Sequence, residues 1–231
     1  MKKQLALCCA ALILALVIPT VSRASDKEDD ISRTQNSTRV FKEIMDAPDS
    51  IPHDVLAKAR CIAIIPGDKK FAFIFGANYG RGVAICRTPT GWSAPLYLAV
   101  EGGSVGYQIG GSSTDLILLF MNDHALKSLL SDKFKMGGDV SVAAGPVGRE
   151  ATASTDLKLT AEILSYSRTK GIFAGASLDG TVVMADKSGD EAMYGPNVTR
   201  EEILHNQVPM PSDARPLVAE MHRYASRSSG D

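Results

Sequence analysis

Four cysteines in 231 residues are too few for a disulfide framework or a cysteine metal cluster, and two of them, Cys8 and Cys9, fall inside the N-terminal apolar stretch. The four histidines, His53, His124, His205 and His222, are isolated from one another, so no spaced pair offers a metal position. Basic residues number 25 against 26 acidic ones, which excludes a basic stripe for nucleic acid and a polybasic membrane tether. Beyond Ile18 the longest purely apolar run, Leu116 to Met121, is far short of the roughly 20 residues that a spanning helix needs. No GxxxxGK[ST] phosphate loop is present, and no cofactor is called for.

The first residues are distinctive. Lys2 and Lys3 precede an apolar stretch from Leu5 to Ile18, and Ser22-Arg23-Ala24 has the small-x-small pattern of a cleavage site. This predicts a signal peptide over 1–24, cleaved near Ala24, and an exported protein, periplasmic or associated with the cell envelope, in a style that fits bacteria. Loss of Lys2, Lys3 and Arg23 leaves 22 basic residues against 26 acidic, a net charge of about −4. The remaining length suffices for one domain with its own core.

Residues 25–40 form a polar N-terminal segment with an acidic tip at Asp26–Asp30, and Ile31 to Met45 has helix-compatible spacing that ends before Pro48. A second short helix is predicted at Val55–Ala59. The texture then changes to short apolar runs separated by Gly, Pro, Asn or Asp: Cys61–Ile65, Phe71–Ala77, Val83–Arg87, Leu96–Val100, Val105–Ile109 and Leu116–Met121. That habit belongs to an antiparallel sheet or barrel. Asn122 to Ser131 reads as a capped helix, Leu157 to Ile163 as a strand, and Asp179-Gly180 as the turn of a hairpin joining Ile172–Leu178 to Thr181–Ala185. Thr199 and Glu202 make a capping box, and a last helix runs from Asp213 to Ala225, with 227–231 frayed. If the strands near 61, 73 and 84 form a meander, Cys61 and Cys86 stand about two strand spacings apart, beyond the ~7 Å reach of a disulfide. Buried free thiols are therefore expected.

Gly102-Gly103-Ser104-Val105-Gly106 spells the G-x-S-x-G of a nucleophile elbow, and Asp139 and His205 complete a formal triad. The elbow needs a helix directly after the serine, whereas Val105 to Ile109 alternates as a strand, so hydrolysis through Ser104 is the least favoured reading and no catalytic residue is assigned. Basic residues near turns carry more weight. Lys69, Lys70, Arg81, Arg149, Arg168 and Lys170 would form an anion site if gathered at one rim of the sheet, since Arg and Lys both take phosphate oxygens.

The run Gly145 to Gly180 combines strand alternation with closely spaced glycines, which suggests backbone passing close to backbone. Together with Arg60–Pro66 (RCIAIIP), Gly80–Gly82 (GRG), Trp92–Pro95 (WSAP), Gly106–Gly110 (GYQIG) and Tyr194-Gly195, in order over most of the chain, it resembles the SYLF domain, a lipid-binding module. The resemblance implies binding of phosphoinositides or other anionic lipids, and, in some eukaryotic members, of actin. It also implies an N-terminal basic amphipathic helix in the studied eukaryotic relatives. This chain departs there: between Asp26 and Asp46 four basic residues face six acidic ones.

These readings converge on an α+β fold, a glycine-rich, mainly antiparallel, barrel-like sheet flanked by N- and C-terminal helices, in a single SYLF-like domain over 41–226. The expected function is non-enzymatic, reversible association with anionic phospholipid or a membrane surface, through loop Arg and Lys and an apolar contact from Phe41 or from the Phe71–Phe75 strand. The alternative is a structural or protein-interaction module with an envelope protein partner. No nucleic acid is expected.

Overall fold

The computed structural model describes residues 20–67, 78–102, 114–148, 160–169, 172–176 and 178–226. The chain opens with α1 (Thr20–Met45), which runs unbroken through Ala24 and through the acidic tip, and continues with α2 (His53–Lys58), β1 (Cys61–Ile65), β2 (Asn78–Thr88), β3 (Gly91–Trp92), β4 (Leu96–Gly102) and β5 (Thr114–Phe120). Then follow α3 (Asp123–Leu130), β6 (Lys133–Lys135), β7 (Val142–Ala144), β8 (Ile163–Thr169), β9 (Ile172–Gly175) and β10 (Val182–Ala185). The chain closes with α4 (Lys187–Tyr194), α5 (Arg200–Leu204), a 3-10 turn (Ser212–Ala214) and α6 (Arg215–Tyr224). The fold is α+β, as expected.

The strands form one sheet in the order β6-β10-β4-β2-β1-β5-β8-β7, with β3 beside β2 and β9 beside β8. Every pairing between these strands is antiparallel except β7 with β8. The central strands are apolar on both sides because both sides are covered. Ile62 and Ile64 of β1, with Val83, Ile85, Ile117 and Leu119, meet α1, α2 and α6 through Phe41, Ile44, Leu56, Leu217 and Met221. Ala63 and Ile65, with Leu96, Leu98, Leu118 and Phe120, meet α3 and α5 through Leu129 and Ile203. Val40, Phe41, Ile44 and Met45 are all buried in the first of these clusters, and each such side chain contributes about 1.5–3 kcal/mol on burial. Arg87 of β2 gathers two helix ends: it donates to the carbonyls of Leu56 and Ala59 at the end of α2 and of Ala225 after α6, with its guanidinium 4.4 Å over the Trp92 ring.

Two expectations are corrected. Cys61 and Cys86 are directly opposed across β1 and β2 and joined in a disulfide, because β2 is the immediate neighbour of β1 and no third strand lies between them. The hairpin around Asp179-Gly180 is also not formed. The turn exists, with Gly180 at φ +84°, but β9 turns back on β8 and β10 inserts between β6 and β4. Gly180 N–H is spent on Met136 O, outside any β9–β10 ladder, so turn chemistry identified the bend and not its partners. The runs at Phe71–Ala77 and Val105–Ile109, and Leu157 to Leu159, lie outside the described residues; the rest of the strand expected over Leu157–Ile163 is a turn and bend at 160–162, and β8 begins only at Ile163.

The glycine-rich run does bring backbone against backbone. A Cβ on Gly175 would overlap Gly145 O, and one on Gly145 would overlap the Tyr166 ring, which is stacked on Phe173 with centroids 5.5 Å apart. The polar stretch 25–40 and the domain that follows share one helix, and within that stretch Asp30, Arg33, Thr34 and Ser37 are buried.

Candidate functional site

The strand registers bring many chain ends to one rim of the sheet. β1 leaves it at Ile65, β2 enters at Asn78, β4 leaves at Gly102, β5 enters at Thr114, β8 leaves at Thr169 and β9 enters at Ile172. The registers Asn78↔Gly102, Ile65↔Leu116, Thr114↔Thr169 and Thr169↔Ile172 hold these ends near one level. β10 begins at the same rim, with Val182 opposite both Glu101 and Lys135.

Arg81 and Arg168 stand just beneath this rim. The β1 registers set Arg81 and Asp115 on either side of the level of residue 66, and Asp115 opposes Arg168, so the two arginines share a level and a sheet face. Three strand spacings, about 14 Å, separate them. Each reaches α1. Arg81 lies 3.4 Å from Asp30 and 2.9 Å from Asp186, while Arg168 lies 2.7 Å from Glu43 and 2.7 Å from Asp115. Asp30 and Glu43 are about 20 Å apart along the helix, so α1 crosses the strands between the two arginines, with Arg81 beneath Asp30 and Arg168 beneath Glu43. The glycines beside Arg81 make room: a Cβ on Gly80 or Gly82 would run into Ile65 on the opposite face.

The Asp30 end is a small ionic cluster. Arg33 pairs with Asp30 at 2.6 Å and with Asp186 at 2.8 Å, and stacks 5.1 Å over the Tyr97 ring. Burial pushes the Asp30 carboxyl up to about 7, against the opposing pull of Arg81. Asp186 also caps α4 by accepting from Gly189 N. At the other end the hydrogen bond from Arg168 holds Glu43 below the usual carboxylate range. A separate buried pair, Arg200 with Asp190 at 2.8 Å, ties α5 to α4 and to both backbone polar groups of Tyr97; burial raises Asp190 to about 6 against Arg200.

Of the anion-site candidates, then, Arg81 and Arg168 share a face but are each bonded to two carboxylates. Lys69, Lys70, Arg149 and Lys170 lie outside the described residues. Phe41 has no exposed surface and packs in the core, edge-on to Tyr224. The sequence reasoning passed over Asp30, Arg33, Asp186, Asp190 and Arg200. A signal existed for the first two: positions 30, 33, 34, 37, 40, 41, 44 and 45 form one continuous helical stripe, polar in its first half and apolar in its second.

Ser104 lies outside the described residues. Asp139, its formal partner, accepts from Lys135 N, and His205 caps the end of α5. His124, Glu162 and Ser141 form an exposed chain in which the carboxylate, not the imidazole, is central. Among the described residues no cluster of His, Cys, Asp or Glu could hold a metal, and no helix is long and apolar enough to cross a membrane.

Residues 101–224 match the family model described as Ysc84, Las17-binding protein actin regulator. The chain belongs to the Ysc84/SYLF-domain family. It is 32% identical to protein YSC84 of Saccharomyces cerevisiae over 219 residues, 87% of this chain and 47% of that protein. LAS seventeen-binding protein 3 of the same yeast is 36% identical over 179 residues, 76% of this chain and 39% of that protein. The human SH3 domain-containing YSC84-like protein 1 is 31% identical over 198 residues, 84% of this chain and 58% of that protein. The chain thus spans about half the length of the relatives it matches. The comparison overturns the expected exported, periplasmic or envelope location: these SYLF-domain relatives are yeast and mammalian proteins of an actin-regulating family, not periplasmic ones.

Proposed function

We propose that this SYLF domain is a non-enzymatic binding module that associates reversibly with an anionic phospholipid surface at the rim where β1, β4 and β8 end. The observation that carries the reading is the convergence of those strand ends, because the connections leaving β1 and β8 contain Lys69, Lys70 and Lys170. Lys135, exposed at the end of β6, borders the same rim. Lysines on connections are point charges suited to phosphate head groups, each worth about 1 kcal/mol near an anionic surface. Arg81 and Arg168 serve a different purpose in this reading: already neutralised, they fix α1 to the sheet behind the rim. The test is sedimentation of the full chain with phosphatidylcholine vesicles, with and without phosphatidylserine. Recovery with the anionic vesicles alone, lost in Lys69→Glu/Lys70→Glu/Lys170→Glu, supports the reading; equal recovery from both vesicle types, or none from either, removes it.

A protein partner is the second reading, favoured by a family described as Las17-binding actin regulators and by a relative named for binding LAS seventeen. The surface suited to it is β9, an edge strand among the described residues, whose Ile172 is 74% exposed and which carries no charge. The opposite edge, β6, carries outward Lys133 and Lys135, the usual guard against strand addition. Partner capture that is lost on Ile172→Lys and unaffected by the three lysine reversals would favour this reading.

A further inference from the structure

We infer that the first half of the buried stripe of α1, Asp30 to Ser37, is a strap that opens from the sheet while the second half of that stripe, Val40 to Met45, stays in place. The two halves are held by different chemistry. The buried face of the second half is apolar, and every one of its side chains would be left facing water on release. The buried face of the first half is polar: Asp30, Arg33, Thr34 and Ser37. Its links to the body are Arg33 to Asp186 and over the Tyr97 ring, Asp30 to Arg81, the Thr34 hydroxyl to the Tyr97 hydroxyl at 2.9 Å, and Ser37 to Ile64 O at 3.4 Å, with one further bond from the exposed Gln35 to Asp213.

Each charge in those links has a second partner on its own side. Asp30 and Arg33 pair with each other within the helix at 2.6 Å. Arg81 and Asp186 pair with each other within the body at 2.9 Å. Undocking therefore separates two neutral pairs and strands no ion, which is the event that makes breaking a buried ion pair costly. The Thr34 hydroxyl likewise keeps Asp30 O, 3.0 Å away in the preceding turn. Opening uncovers the Tyr97 ring, and more of the partly exposed Arg81, on the face that α1 covers.

The test is amide hydrogen exchange on the full chain under native conditions. Amides of 30–37 are expected to exchange at least tenfold faster than those of 40–45. Simple fraying from the helix start would give the same order, so Arg81→Gln, a change on β2 and not on the helix, is measured beside it. This variant leaves Asp30 with Arg33 alone and is expected to speed exchange over 30–37 by at least threefold without moving 40–45. Equal protection of the two halves in the unaltered chain overturns the inference, as does a variant that changes neither half or changes both alike.

Discussion

Cys61 and Cys86 face each other across β1 and β2 and are joined. The bond closes a loop of 25 residues, and constraint of the unfolded chain over such a loop is worth about 3 kcal/mol. Reduction with a phosphine, or the pair Cys61→Ala/Cys86→Ala, is expected to lower the thermal midpoint by roughly 6–12 °C for a domain of this size. Calorimetry with and without reductant measures it. An unchanged midpoint would mean that the two thiols do not form the bond.

Arg200 has little exposed surface, and its principal counter-charge is Asp190. Arg200→Leu leaves that carboxylate buried with only a backbone donor, takes the guanidinium from Leu129 O, and leaves Tyr97 O with the Asp186 N–H alone. A loss of about 3–5 kcal/mol is expected, read as a shift in the urea midpoint without a change in slope. A loss below 1 kcal/mol would show that water reaches the site.

Gly145→Ala puts a methyl group into the Tyr166 ring, and overpacking of this kind costs about 1–3 kcal/mol. In a Tyr166→Leu background, where the ring is gone, the same change is expected to cost much less. A double-mutant cycle showing strict additivity would contradict the contact.

Glu162 accepts from Ser141 N and Oγ and faces His124, and these bonds hold its carboxyl below the usual range, the backbone bond first. A depressed folded value means that the stabilisation is present above the unfolded value and is lost as pH falls through the folded one. The stability gap between the unaltered chain and Glu162→Gln should therefore be widest near neutrality and close in acid, below the ordinary carboxylate range. Parallel stability curves across that window would rule this out.

Much of the scaffold was legible because local rules agreed with the tertiary outcome. Cys61–Ile65 is β1 residue for residue, Asn122 caps α3 by accepting from Ala125 N, and Thr199 and Glu202 form the capping box reciprocally. What failed was pairing. Asp179-Gly180 makes a real turn, but the backbone groups around it find Met136 and the β4 and β6 ladders, a long-range competition that no dipeptide records. The parallel strand β7 has only three residues, too few for a periodic signal. The Asp30–Arg33 stripe was missed because a search for apolar periodicity passes over a helix face that is buried and polar.

A sheet whose described central strands are packed on both faces keeps its oily surface for itself. On the proposed reading, a visiting surface is met at the margin, by lysines that each hold weakly. Residence on any single target would be brief, and durable attachment would come from many copies arrayed side by side on an extended surface.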